Sequence, residues 1–361
     1  MKNSSKRFAW LALAALCAAP QLTVAQSQPV GTIRDVISNL DAVAGGKCRQ
    51  PEGLAVDSEG NLYLASNSDQ ATTVEYVCVF DRAGSFREAI PVPAGPNVVS
   101  TPALTQVVGL LGEMWDRDWL YVLDQADNVA GHGRILKVNL HSHAVVSIPY
   151  CGDPRYAPAF PNTIIQDRHG NRYVSDSLQG VIYRFGPEDG CAHVWAGPFA
   201  AFLSTNPNQN VGLNDMAIDR EEKYIYVDVT GNRQLYRVPL NADGSAGTPE
   251  LFADGAVIDA QMGLPAPTAL FGPDGVQFDV LGNLYVCANQ AEEIQVFSPA
   301  GKLIHRYAGV GASAMDFPAS IAFRGHRLFI TNMQADYLLP HSKLSVLEAP
   351  FAGLPLPLGD E

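Results

Sequence analysis

The chain has 361 residues, with 37 Asp and Glu against 24 Lys and Arg, a formal net charge of −13 and six cysteines. An acid excess of this kind suits neither nucleic acid nor an anionic membrane surface. Beyond the N-terminal leader, no stretch approaches the roughly 20 apolar residues that span a bilayer, so no membrane partner is expected.

Residues 1–25 read as a secretory signal: Lys2, Lys6 and Arg7, an apolar run over 8–19, then the small-residue site Thr23-Val24-Ala25. The mature protein is therefore expected to be exported, periplasmic or secreted. Loss of three cations with the leader takes the net charge from −13 to about −16. Leu16 rather than a small residue precedes Cys17, which argues against a lipoprotein anchor. Residues 26–361 are expected to form a single domain and a monomer. Export permits disulfides. Cys48 with Cys78 and Cys151 with Cys191 are taken as the pairs, leaving Cys287 as a buried thiol in the strand NLYVCAN.

In chain order, the segment 30–44 is expected to pair beside the C-terminal blade and close a ring. An apolar run, an Asp/Gly turn and a Leu-Tyr-Val-like strand then recur at 53–66, 163–176, 215–228 and 275–288, with a shorter version at 319–332. Each of the first four is followed by a second strand pair (VCVFDRAGSFREAI, VIYRFGPEDGCAHVW, QLYRVPLNADGSAG, IQVFSPAGKLIHRYAG) with Asp, Asn or Pro and a Gly at the tip, as hairpins require. The unit containing MWDRDWLYVLD supplies the second blade, its inner strand expected near 105–111. Units of about 40 to 55 residues, with short strands and almost no helical periodicity, predict an all-β fold, a six-bladed β-propeller.

Four of these units carry an oxygen-bearing side chain five residues before the turn aspartate: Glu52, Asn162, Asn214 and Asp274. In equivalent blades the four stand around a shared axis, where their oxygens converge on a metal site. Two carboxylates and two amides form an all-oxygen set, which hard cations prefer, so calcium is the first choice among divalent metals and zinc is disfavoured. The turn aspartates Asp57, Asp167, Asp219 and Asp279 recur equally regularly but sit at hairpin tips, where Asp bonds its own backbone. Their role is expected to be structural.

The motifs PEG at 51–53, PN at 161–162, LND at 213–215 and PDG at 273–275, each opening a blade, resemble the senescence marker protein/gluconolactonase family, which includes luciferin-regenerating enzymes and bacterial lactonases, with paraoxonases more distant. The resemblance implies one divalent cation in the propeller channel, held by Glu52, Asn162, Asn214 and Asp274. It also implies hydrolysis of lactones or related esters by a water that attacks a carbonyl polarised by the cation. Asp274 is the implied proton acceptor, with Asp215 as a second candidate. Sugar-handling members carry an Arg two residues before the third-blade Asn, where this chain has Phe160. A relatively apolar lactone or ester is therefore expected, in place of a gluconolactone.

The segments 156–160, 199–203 and 262–271 are apolar and lead into three of the four residues. They are read either as pocket walls, with Phe160, Phe199, Phe202, Met262 and Phe271 facing substrate, or as caps packed on the propeller's own loops. His132, between Gly131 and Gly133, is a candidate channel-face acid or base; His141 and His143 fit a solvated turn, and Trp115 and Trp119 blade packing. No G-x-S-x-G elbow is present. Two competing readings are a non-enzymatic ligand-binding or interaction propeller, NHL-like or yellow/royal-jelly-like, and a purely structural metal plug.

Overall fold

The computed structural model describes residues 29–67, 74–95, 109–334 and 339–355. The expected leader, 1–25, lies outside them, as does most of 105–111. Six four-stranded antiparallel sheets stand in a ring, a six-bladed β-propeller. The inner strands are Pro51–Val56, Leu110–Asp116, Pro161–Gln166, Leu213–Ile218, Pro273–Phe278 and Pro318–Arg324. The inner strand of blade two thus starts at Leu110, later than expected, because Met114 and Trp115 pair with Tyr121 and Leu120 in the first hairpin.

Ring closure follows the expectation: Ile33–Ile37 pairs antiparallel with Lys343–Glu348 and becomes the outer strand of blade six. This joins both ends of the described chain in one sheet and so latches the ring shut. The alternating apolar residues of neighbouring blades interdigitate between sheets, as in the cluster of Met216, Val227, Val276 and Val286. Both disulfides form as expected, Cys48–Cys78 and Cys151–Cys191, with Cα–Cα distances of 5.7 and 5.8 Å, and Cys287 is free and buried.

The turn aspartates do what their position predicts. Asp167 accepts from the backbone N–H groups of His169 and Asn171, the Asn171 amide and the Tyr173 hydroxyl at 2.7–3.1 Å, and Asp57 and Asp279 hold Asn61 and Asn283 in the same way. One element escaped the sequence pattern, the α-helix Gly255–Met262, capped by Asp254 and closed by Gly263 in the left-handed conformation. At two turns it is too short to show a helical period. Among the described residues, no helix is long and apolar enough to cross a membrane.

Candidate metal centre

Every inner strand begins with the same irregularity. Its first residue pairs with the last residue of the second strand, or nearly so, and the register then slips by one, as between Pro51 and Leu54 or Pro273 and Val276. Two residues on the inner strand thus oppose one on its neighbour, which is a β-bulge. The first bulge residue is Glu52, Leu111, Asn162, Asn214, Asp274 or Ala319 in blades one to six, and of these all but Ala319 line one cavity of about 280 Å³ on the channel axis. The second is Gly in PEG and PDG because blades touch there: a Cβ on Gly53 would lie 2.3 Å from the Leu111 carbonyl oxygen, and one on Gly275 2.6 Å from that of Ala319.

The structure therefore brings Glu52, Asn162, Asn214 and Asp274 together, all buried at 4–8% exposure. Behind them stands a second ring that sequence reasoning missed: Asn67, Gln125, Ser177, Thr230, Asn289 and Met333, each one residue past the second strand of its blade. The backbone N–H of each donates to the carbonyl just before or near the inner strand of its own blade, at 2.8–3.2 Å. Their position was readable as the residue after LYLAS, LYVLD, YVSD, YVDV, LYVCA and LFITN, but nothing in that pattern marks it as facing the channel.

The second ring orients the first. The Asn289 amide donates to Asp274 Oδ2 at 3.0 Å, and the Asn214 amide to Asp274 Oδ1 at 2.8 Å and to Thr230 Oγ1 at 3.0 Å. Asn162 donates its amide to Ser177 Oγ at 3.2 Å. With these amides turned by their N–H groups, their carbonyl oxygens are left as acceptors. Glu52 Oε2, Asn214 Oδ1 and Asn289 Oδ1 are buried without a hydrogen-bond partner.

Burial drives the electrostatics. It raises the Glu52 carboxyl well above the ordinary carboxylate range, reinforced by the charges of Asp274, Asp215 and Glu113. Burial also pushes Asp274 up to about 7, against the hydrogen bond from Asn289. No Lys, Arg or His lines the cavity among the described residues. A buried pair of acids beside orphaned oxygens of Glu52, Asn214 and Asn289, with no cationic side chain, fits a divalent cation bound through oxygen. Two acids with amides do not amount to three clustered His, Cys, Asp or Glu side chains, and among the described residues no such cluster exists.

The remaining sequence candidates separate. Phe160 lines the cavity, held by Asp176, whose buried carboxylate accepts from the Ala159 and Phe160 N–H groups at 2.8 and 3.1 Å. Phe199, Phe202, Met262 and Phe271 do not line it. Phe202 is in the core, edge-on to Phe199 at 5.3 Å, and Met262 is 53% exposed at the end of the helix. The helix and its following loop are tied down away from this cavity by Asp259, which accepts from Thr268 and Ala269 and pairs with Arg233. His132 is also away from the cavity, its Nδ1 2.8 Å from Asp127. Asp215 is placed on the far side of the bulge, with its oxygens taken by the Met216 and Val276 N–H groups at 2.6 and 2.7 Å. Burial lifts it to about 6, yet it fastens blade four to blade five and does not face this cavity.

By fold, the chain is similar to a luciferin-regenerating enzyme (TM-score 0.59, 15% identity, 84% of this chain and 93% of that one). It is similar also to a gluconolactonase from Xanthomonas campestris (0.56, 17%, 88% and 89%) and to regucalcin, a calcium-binding protein from Agrobacterium tumefaciens (0.55, 15%, 84% and 92%). At these identities the likeness is one of fold. No curated protein matches the chain by sequence. Residues 203–334, from the approach to blade four through the first hairpin of blade six, match the SMP-30/Gluconolactonase/LRE-like region, the family that the blade-opening motifs resemble.

Proposed function

We propose that the chain is an exported, divalent-cation-dependent hydrolase of lactones or related esters, with calcium as the cation and a relatively apolar, uncharged substrate. The observation that carries this reading is the set of orphaned buried oxygens from Glu52 and Asn214 beside Asp274 in a cavity without cationic side chains. The family match over residues 203–334 supports lactone chemistry.

Glu52, Asn162, Asn214 and Asp274 would hold the cation. Bound there, it supplies Lewis acidity to an ester carbonyl and charge stabilisation to the developing oxyanion. Asp274, fixed by two N–H donors, is the acceptor for the proton of the attacking water. Asn289 and Asn214 position that carboxylate. Leu111, Phe160, Leu178, Val211, Phe317 and Met333 supply the apolar walls that exclude water and favour an acyl or aryl group.

The test is a panel of uncharged γ- and δ-lactones and aryl acetates, assayed with chelator-treated protein before and after calcium is restored. Turnover that appears with calcium supports the reading. A folded, calcium-loaded protein without turnover on any of them would leave the cavity as a binding site only.

A further inference from the structure

Because all six inner strands share one bulge and one length to that point, their residues can be compared position by position. At the fourth position five blades carry Leu54, Ile164, Met216, Val276 and Ile321, and blade two carries Glu113. At the sixth, Val56, Trp115, Ile218, Phe278 and Phe323 are apolar, and blade three carries Gln166. Both exceptions face one chamber of about 90 Å³, which begins just below the residues Glu52 and Asp274, runs along the inner strands and is bordered by Leu354 of the C-terminal segment. Asp215, Thr163, Gln277 and Ser320 also border it, but the Asp215 oxygens are already taken by the Met216 and Val276 N–H groups.

Glu113 and Gln166 are each 8% exposed, and both Glu113 oxygens and Gln166 Oε1 lack a hydrogen-bond partner. The backbone N–H groups of Ala55 and Ala65 favour the charged form of the Glu113 carboxyl, but less than its burial disfavours it, and no side chain donates to it. No Lys, Arg or His borders the chamber among the described residues. Burial pushes the Glu113 carboxyl up to about 8, as expected of an acid lacking a cationic partner. A buried, unpartnered carboxyl is destabilising. The repeat does not call for an acid there, since the other five blades carry Leu, Ile, Met or Val at the same strand position.

We propose that this lower chamber is a second ligand site that binds a small primary alkylammonium ion. The ammonium donates to the Glu113 carboxylate and Gln166 Oε1, and its alkyl part rests against Met114, Trp115 and Phe323. Trp115 adds the attraction of an aromatic face for a cation. A metal ion fits less well, because a hard cation takes about six to eight oxygens and these walls are mostly apolar. The chamber is small beside the ~150 Å³ cavity known to hold a benzene, which limits the ligand to a short chain. The proposal does not depend on lactone hydrolysis or on the metal centre.

The test is calorimetric titration of n-propylammonium chloride into the mature chain, with and without calcium. One-to-one binding is expected in the wild type and in Asp274→Ala. Glu113→Leu, Glu113→Gln and Gln166→Leu are each expected to weaken it about 10- to 100-fold, the worth of a lost charged hydrogen bond. Tetramethylammonium, which has no N–H, is expected to bind at least about tenfold more weakly. Failure of the wild type to bind n-propylammonium would overturn the proposal. So would undiminished binding in the folded Glu113 variants, or loss of a calcium equivalent in Glu113→Leu, which would make the site a metal site.

Discussion

The two ends of the same six inner strands follow opposite rules. At the upper end the first bulge residue is polar in blades one, three, four and five, and its neighbours one residue past the second strand are mostly polar too, so acceptors and donors meet on the axis. At the lower end the fourth and sixth positions are apolar in nearly every blade, and the two departures there, Glu113 and Gln166, stand without side-chain partners for their buried oxygens. A repeat holds backbone geometry constant, so side chains that break its pattern stand out as chemistry. Those that keep the pattern, like the turn aspartates, read as architecture.

The largest effect is expected from the upper ring. Glu52→Gln keeps the size of the side chain and removes half the carboxylate charge of the set, and calcium affinity by titration is expected to fall about 100-fold or more. Asn289→Ala touches no proposed ligand position but frees Asp274 Oδ2, and should weaken calcium binding or lactone turnover about 10- to 100-fold, as loss of an outer partner does. An unchanged affinity would show that the second ring is packing alone.

Asp167→Ala removes four hydrogen bonds at a hairpin tip. A loss of about 1–3 kcal/mol in urea unfolding is expected, with calcium affinity intact. A loss of affinity would break the division between architecture and site. The smallest effect, and of opposite sign, is expected for Glu113→Leu without added amine. Replacing an unpartnered acid by the residue of blade one should stabilise the propeller by about 1–2 kcal/mol; destabilisation would mean that Glu113 has a partner within the protein.

Much of the architecture was legible because its signals are local. The alternation of each strand pair, the Asp/Gly tips and the closing strand near residue 33 all depend on contacts that the repeat period reveals. The four converging oxygens were legible for the same reason, being equal offsets from equal turns. The bulge that aims them was not, since a slip of one residue between strands leaves no mark in either strand alone. Nor were Asn289 and Thr230, which act only through contacts with other residues in three dimensions. Phe202 and Met262 shared the apolar character of Phe160, but only Asp176 draws the segment before Asn162 over the cavity. Apolar composition could not show which loop would be drawn in.

The most direct measurement is calorimetric titration of calcium into chelator-stripped protein spanning residues 26–361, with Asp274→Ala run beside it. Binding at a single site that the variant loses is the expected result. A folded wild-type protein that takes up no calcium, or a variant that binds it as well, would contradict the assignment of Glu52, Asn162, Asn214 and Asp274 as a metal centre.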